Sequence, residues 1–466
     1  MILRNPLSDA PEICRLGVDA LSRHYANGSL SPVEVLKATI EHAHTVNDRF
    51  NAFTVINEET ALPEARKAEA RWRSGNARSK IDGIPATVKD VLMVEGLVSR
   101  WGSRGTENRV SASDAPSVAA LRRDGAIVFG ITTTPEFGWK GVTDSPLTGV
   151  TLNPWDRTLT PGGSSGGAAV AALTGAGVLH VGTDGGGSNR IPASFTGTVG
   201  MKPTFGRIPV YPVSKYGTIS HVGPIARTVS DVTHMLESMI CRDLRDWTQG
   251  PDSKSFRRRQ SLPLHGLRIG FWDTPACGVV EAEVLSAIAR AVADLEKAGA
   301  SIEPFRMRSD FELLDIFSTL WYSGAAALVR SIPQSRVSEL EPGFREIAEA
   351  GEQTSGMAFS QAQVTRASFG AWMDAQLESF DFVVSPATAV LPFPAGRDVP
   401  LNSICKKGIE WMGFTFPINL SQQPACSIPI GFSESGLPVG MQIIGARGAD
   451  ERLIGFATAV EQLFTS

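Results

Sequence analysis

An α/β architecture follows from three features of these 466 residues. Helix-period and strand-period segments alternate along the chain, no break in composition divides it, and an apolar fraction of 42% is enough for a sizeable core. The same continuity predicts one domain over 1–466, with an N-terminal helical segment over 1–60 and a surface loop over 243–265.

The first clear helix begins at Ser31-Pro32-Val33-Glu34, a capping box with proline at the first helical position. Val33, Leu36, Ile40, Ala43, Val46 and Phe50 continue it at helical spacing. Ile84, Ala86 and Val88 alternate with Pro85, Thr87 and Lys89 in a short strand bounded by Gly83 and Asp90. A helix over 116–123, a stop at Gly125 and a strand over 126–131 come next. The small-residue run 168–181, interrupted by Thr174, Gly175, Gly177 and His180, reads as a buried helix leading into a strand at 178–182. Further on, 267–272 predicts a strand, Val284, Ile288, Val292 and Leu295 form a helical stripe, and 301–305 is the next strand. Buried strands are expected at 382–384, 427–430 and 439–444, and a terminal helix over 451–463.

Composition excludes several classes of function. A net charge of −4 leaves no electrostatic footprint for nucleic acid, and the basic run Arg257-Arg258-Arg259 between Pro251 and Pro263 reads as a solvated loop. Cys14, Cys241, Cys277, Cys405 and Cys426 are scattered, odd in number and never form CxxC, which argues against a disulfide framework or thiolate metal site and fits a reducing cytoplasm. The N-terminal MILRNPLSDAPE lacks the apolar core of a signal peptide. No segment approaches the ~20 apolar residues that span a bilayer, so no membrane partner is expected.

The chemistry gathers in two loops and a lysine. PGGSSGG (161–167) precedes a run of alanines and so opens a helix, where glycines allow close backbone approach and free N–H groups collect. A tight turn before a buried helix explains that loop equally well, and no Gly-Lys-Ser/Thr follows to make it a phosphate loop. Ser164 and Ser165 each fit GxSxG, which admits an α/β-hydrolase with His221, His234 or His265 as base, although no HGGG companion exists. In TDGGGSNR (183–190), Gly185, Gly186 and Gly187 stand directly before Ser188 at the end of an apolar strand, the arrangement that presents N–H donors to a developing oxyanion. Asp184 and Arg190 flank this loop as a pair able to hold it. Lys89 lies on the face of its strand opposite Ile84, Ala86 and Val88, where exposure is the commoner outcome. Burial there would instead lower its pKa by up to ~3–5 units, enough for a base at neutral pH.

Taken together, these residues resemble the amidase signature family. The likeness is carried by DGIPATVKD (82–90), TPEFGWKG (134–141), NPWDRTLTPGGSSGG (153–167), GTDGGGSNRIPASF (182–195), GMKPTFGR (200–207) and GLPVGMQIIG (436–445). It implies a central mixed β-sheet surrounded by α-helices and a Ser-cisSer-Lys triad. In that triad Ser188 is the nucleophile, Ser164 follows a cis bond after Gly163 and bridges, and Lys89 is the base, neutral in the free enzyme. Backbone N–H groups around Gly185, Gly186 and Gly187 would form the oxyanion hole, with Gly163, Ser165, Asp184 and Arg190 supporting the loops. Phe137, Trp139 and Asn189 are the candidates for pocket lining. The chain departs from the family pattern at Ala168, Ile131 and Thr133, at Asn189, where an aliphatic residue is common, and at Gln422, where glycine is usual.

The activity implied is hydrolysis of a small carboxamide or aryl amide through an acyl-enzyme, with no metal or organic cofactor. The partner expected is the amide substrate, with a homodimer left open. The alternative is the glutaminase-type A subunit of a tRNA-dependent amidotransferase, although 316–380 lacks the segment associated with that protein. A catalytically dead binding protein on the same scaffold is a third reading, opposed by the intact Lys89, Ser164 and Ser188.

Overall fold

The computed structural model describes residues 4–250, 256–258, 260–401 and 403–465. Its strands in chain order are β1 (Phe53–Ile56), β2 (Pro85–Lys89), β3 (Ile127–Thr132), β4 (Asp144–Ser145), β5 (Gly149–Val150), β6 (Leu179–Asp184), β7 (Val199–Lys202), β8 (His221–Ala226), β9 (Arg268–Phe271), β10 (Ser301–Pro304), β11 (Phe382–Pro386), β12 (Ala425–Phe432) and β13 (Pro438–Ile444). All but β4 and β5, which pair with each other, join one eleven-stranded sheet in the order β1-β3-β2-β6-β8-β7-β12-β13-β11-β9-β10. Pairing is parallel for β2 with β3 and β6, and for β9 with β10 and β11, and antiparallel elsewhere, so the sheet is mixed.

The helices are α1 (Val18–Asn27), α2 (Pro32–Phe50), α3 (Glu58–Arg73), α4 (Pro116–Arg123), α5 (Gly166–Thr174), α6 (Arg190–Thr196), α7 (Val229–Met239), α8 (Ala282–Lys297), α9 (Leu313–Val329), α10 (Pro342–Glu352), α11 (Gly356–Ser379), α12 (Phe416–Ser421) and α13 (Asp450–Thr465). The capping box of α2 forms as expected: Glu34 N–H donates to Ser31 Oγ, and Ser31 N–H donates to Glu34 Oε2. No described helix is long and apolar enough to cross a membrane.

Helices on both faces of the sheet change the reading of β2. Its alternating sequence suggests one solvated face, yet all five residues are buried, because β2 lies inside the sheet between two parallel neighbours and is covered on both sides. Lys89 therefore points into protein. The helix α5 is buried throughout, which accounts for its alanine-rich sequence. The N-terminal 60 residues carry β1 as well as helices, and β1 pairs antiparallel with β3 at the sheet edge.

In the expected surface loop over 243–265, residues 251–255 and 259 lie outside the described residues. Leu244 and Trp247 are exposed, whereas Asp246 and Gln249 are buried. Of the basic run, Arg259 lies outside the described residues, and Arg258 is not simply solvated: its guanidinium donates to Ser230 Oγ at 2.8 Å and reaches His234 Nε2 at 3.2 Å.

Gln422, at the C-terminal end of α12, has φ +69, the left-handed conformation that favours glycine. This explains why glycine is usual there. Its side chain donates to Thr218 O at 3.2 Å.

Candidate active site

Parallel pairing of β2 with β6 brings the C-terminal ends of the two strands side by side, with Val88 opposite Val181. Lys89 ends the first strand and Thr183-Asp184 end the second, so one lysine and the nucleophile loop emerge together. Into the same space comes the turn before α5, which carries Ser164 after a cis peptide bond from Gly163, as expected from the resemblance.

Lys89 is wholly buried, and its Nζ meets hydroxyls: Ser164 Oγ at 2.7 Å, Ser165 Oγ at 2.9 Å and Thr183 Oγ1 at 2.9 Å. Burial pushes its ammonium down to about 7, against the nearby negative charge of Asp184. Each neighbour can donate as well as accept, so the shell suits either protonation state of the amine. Ser165 Oγ also reaches Thr183 O and Asn189 Oδ1, both at 3.1 Å, and Ser165 N–H donates to Ser188 O at 3.1 Å, which ties the two loops together. Gly138 passes so close above that a Cβ on it would lie 3.2 Å from Ser164 Oγ.

Beneath the nucleophile loop, Asp184 and Arg190 form a fully buried bidentate ion pair at 2.8 and 2.9 Å. Asp184 also accepts from Gly187 N–H at 2.8 Å, Asn189 N–H at 3.2 Å and Asn419 Nδ2 at 2.9 Å. Burial raises such a carboxyl, but the charge and hydrogen bonds of Arg190, with Asn419 and Lys202, override it and hold Asp184 well below the usual range. Arg190 further donates to Thr415 O, Asn419 Oδ1 and Gln442 Oε1. Asp184→Ala leaves that guanidinium buried without its partner. We expect a loss of about 3–5 kcal/mol, read from the urea midpoint, because uncompensated buried charges cost that much.

The loop itself packs too tightly for side chains. A Cβ on Gly187, whose φ is +125, would fall 2.4 Å from Thr415 Oγ1, and one on Gly185 would fall 2.8 Å from the Trp321 ring. Gly187 N–H is committed to Asp184. Among the described residues the N–H groups of Gly185, Gly186 and Ser188 donate to no protein acceptor, so these three stand ready for an oxyanion.

Ser188 opens on a cavity of about 240 Å³, walled on its apolar sides by Trp139, Phe317, Trp321, Tyr322, Ile347 and Met412. Trp321 is sandwiched by Tyr216 at 3.7 Å and Phe317 at 5.3 Å, and its Nε1 donates to Trp139 O at 3.2 Å. Of the three residues expected to line the pocket, Trp139 does. Phe137 is instead packed against Phe344, ring centres 5.1 Å apart, in an apolar cluster behind the wall. Asn189 is completely buried under the loop, where Nδ2 donates to Met201 O at 3.0 Å and Oδ1 accepts from Ser165. Its amide does structural work that an aliphatic residue could not.

The histidines stand apart from the serines. His221 is buried, with Nδ1 at 2.9 Å from Ile219 O, and burial holds it well below the usual histidine range. His234 contacts Asp19 and Glu237, and His265 is exposed. Thr183, Thr415, Asn419, Gln442 and the α9 aromatics belong to the site although sequence reasoning does not single them out. Thr183 lies inside the glycine motif, where only its position beside Asp184 could have marked it. Gln442 lies inside GLPVGMQIIG, where nothing singles it out for this site, and the others sit more than a hundred residues away with no local signature.

The chain is similar to known proteins over nearly its whole length. The family model for amidases matches residues 34–454. An acylamidase of Rhodococcus erythropolis is 30% identical over 453 residues, covering 96% of this chain and 95% of that protein. The A subunit of the glutamyl-tRNA(Gln) amidotransferase from Symbiobacterium thermophilum is also 30% identical, over 96% of each chain. Among solved structures, a bacterial aryl acylamidase of the amidase signature family superimposes with a TM-score of 0.87 at 26% identity, covering 96% of both chains.

Proposed function

This chain belongs to the amidase signature family and is a hydrolase acting on amides, and we propose that it cleaves the C–N bond of small, apolar or aryl carboxamides through Ser188, Ser164 and Lys89. The observation that carries the reading is a wholly buried lysine, surrounded by hydroxyls, beneath a serine that opens on an aromatic-walled cavity.

In the reaction, Ser188 Oγ attacks the amide carbon and its proton passes through the Ser164 hydroxyl to neutral Lys89. The carbonyl oxygen becomes an oxyanion held by the N–H groups of Gly185, Gly186 and Ser188. Collapse of the tetrahedral intermediate breaks the C–N bond, and the proton on Lys89 returns through Ser164 to the leaving nitrogen, giving ammonia or an amine. Water then attacks the acyl-Ser188 ester, giving up a proton by the same route, and the carboxylic acid leaves with Ser188 restored. The Ser164 hydroxyl is met by Lys89 Nζ and not by the Ser188 hydroxyl, and a contact between nucleophile and relay of this kind tightens when substrate binds. Asp184 and Arg190 act as positioning residues, fixing the loop that carries the nucleophile.

The second reading, a glutaminase serving a tRNA-dependent amidotransferase, draws on the similarity to the corresponding component of the Symbiobacterium enzyme. The aromatic walls favour the first, since glutamine offers little apolar surface to bury there. Assay of the purified chain against aryl amides, aliphatic amides and glutamine separates them: release of amine from anilides without any partner supports the first. Ammonia from glutamine only in the presence of a partner and tRNA sinks it. Within that assay, Trp321→Ala should raise KM for an anilide about tenfold and for acetamide much less, because the wall it removes serves only the larger group.

The same continuity of sheet, with strands drawn from Phe53 to Ile444, supports one amidase domain over the chain. Five free cysteines support a cytoplasmic setting.

A further inference from the structure

The cavity above Ser188 has an enclosed end and an open end, and they differ in charge. At the enclosed end Ser188 is only 5% exposed and the walls are aromatic. The exposed residues of the lining, Glu346, Ala350, Asp398, Lys406 and Lys407, mark the mouth.

The lysines of this cavity are not equivalent. Lys140 is 5% exposed and is outnumbered by the three carboxylates around it, Asp144 at 2.7 Å, Glu341 at 2.5 Å and Asp398 at 3.0 Å. It belongs to the wall. Lys406 and Lys407 make no ion pair with any described residue. Their backbone is nevertheless held in place, since both N–H groups donate to Glu410 Oε2, at 2.6 and 3.3 Å. Two ammonium groups without an ion-pair partner thus sit on a pinned turn at the entrance, in a lining that also carries the exposed carboxylates Glu346 and Asp398. Asp398, the other acid of the lining, is already engaged by Lys140.

From this arrangement we propose that the preferred substrates are amides bearing a carboxylate at the end remote from the scissile bond, with Lys406 and Lys407 binding that carboxylate at the mouth. The proposal rests on the amidase reading above and refines its substrate class. An apolar body fills the aromatic section and the anionic end stays where water still reaches it, so the ion pairing need not offset full desolvation. Partial exposure also makes the attraction sensitive to salt.

The test compares an anilide with its para-carboxylated analogue. Two measurements are made: the ratio of their kcat/KM values with the intact enzyme, and the ratio of their affinities for the Ser188→Ala variant by calorimetry. The expected result is a preference of about tenfold or more for the carboxylated compound, falling several-fold in 0.5 M salt and towards unity in the Lys406→Met/Lys407→Met double variant, while Glu346→Gln increases it. Turnover of both compounds with no preference, or a preference that survives the double variant, overturns the proposal and leaves the amidase reading standing. A salt-sensitive, lysine-dependent binding preference without turnover of either compound supports the anion site and counts against the choice of scissile amide.

Discussion

Ser188→Ala is expected to lower kcat/KM for every amide substrate by at least ~10⁴-fold, while leaving the folded protein essentially as stable as before. The size follows from the role: without the hydroxyl no acyl-enzyme forms, and the remaining oxyanion donors and cavity supply only the residual catalysis typical of a serine enzyme stripped of its nucleophile. Stability is spared because the Ser188 hydroxyl makes no hydrogen bond within the described protein, whereas its backbone carbonyl, which accepts from Ser165 N–H, is untouched. A second signature is covalent. A fluorophosphonate should add one label to the unmodified enzyme at Ser188 and none to the variant. Labelling elsewhere, or a variant retaining a tenth of the activity, would remove Ser188 from the proposed role.

Lys89→Met should abolish turnover to a similar degree and at the same time change how stability depends on pH. Burial has lowered the folded-state pKa of Lys89 to about 7, whereas the unfolded chain keeps the ordinary value near 10.5. Between those two values the unfolded state binds the proton that the folded state has shed, so the lysine's contribution to stability rises with pH by roughly 1.4 kcal/mol per unit. Below about 7 both states are protonated, the slope vanishes and the full penalty of a buried ammonium remains. Measured against the Met variant, the unmodified enzyme should therefore look worst below pH 7 and recover towards pH 10. The activity of the unmodified enzyme follows the same proton in the same direction: kcat/KM should fall about tenfold per unit below pH 7, as the base is lost to protonation. If instead a histidine variant removes this acid limb and Lys89→Met leaves turnover intact, the lysine-base mechanism is wrong.

The parts of this site that can be read in the sequence are those whose chemistry is written locally. Lys89 at a strand end, the paired serines of 161–167 and the three glycines before Ser188 each carry their meaning within ten residues, and the fold brings them together at the ends of β2 and β6. Alternation along β2 misleads about exposure, because period-two patterning reports which face is more apolar and not whether a helix covers the other. Nearness to the motifs points Asn189 and Phe137 towards the pocket. Proximity in sequence does not determine direction, and one side chain turns beneath the loop while the other turns behind the wall. The cavity itself is invisible in the sequence, since Phe317, Trp321 and Tyr322 lie on a helix whose apolar residues look like any core stripe.

One consequence of the Asp184–Arg190 pair reaches into how the protein is made. Arg190 ends its hydrogen bonds on Asn419 and Gln442, 229 and 252 residues further along the chain. The loop that shapes the nucleophile is thus anchored to segments that leave the ribosome long after it. A nascent chain that has already extruded Lys89, Ser164 and Ser188 still lacks the acceptors that complete the guanidinium's shell. Hydrolytic competence should therefore switch on only once Asn419 and Gln442 have emerged, and fragments ending before Asn419 should be inert whichever of the reacting groups they carry.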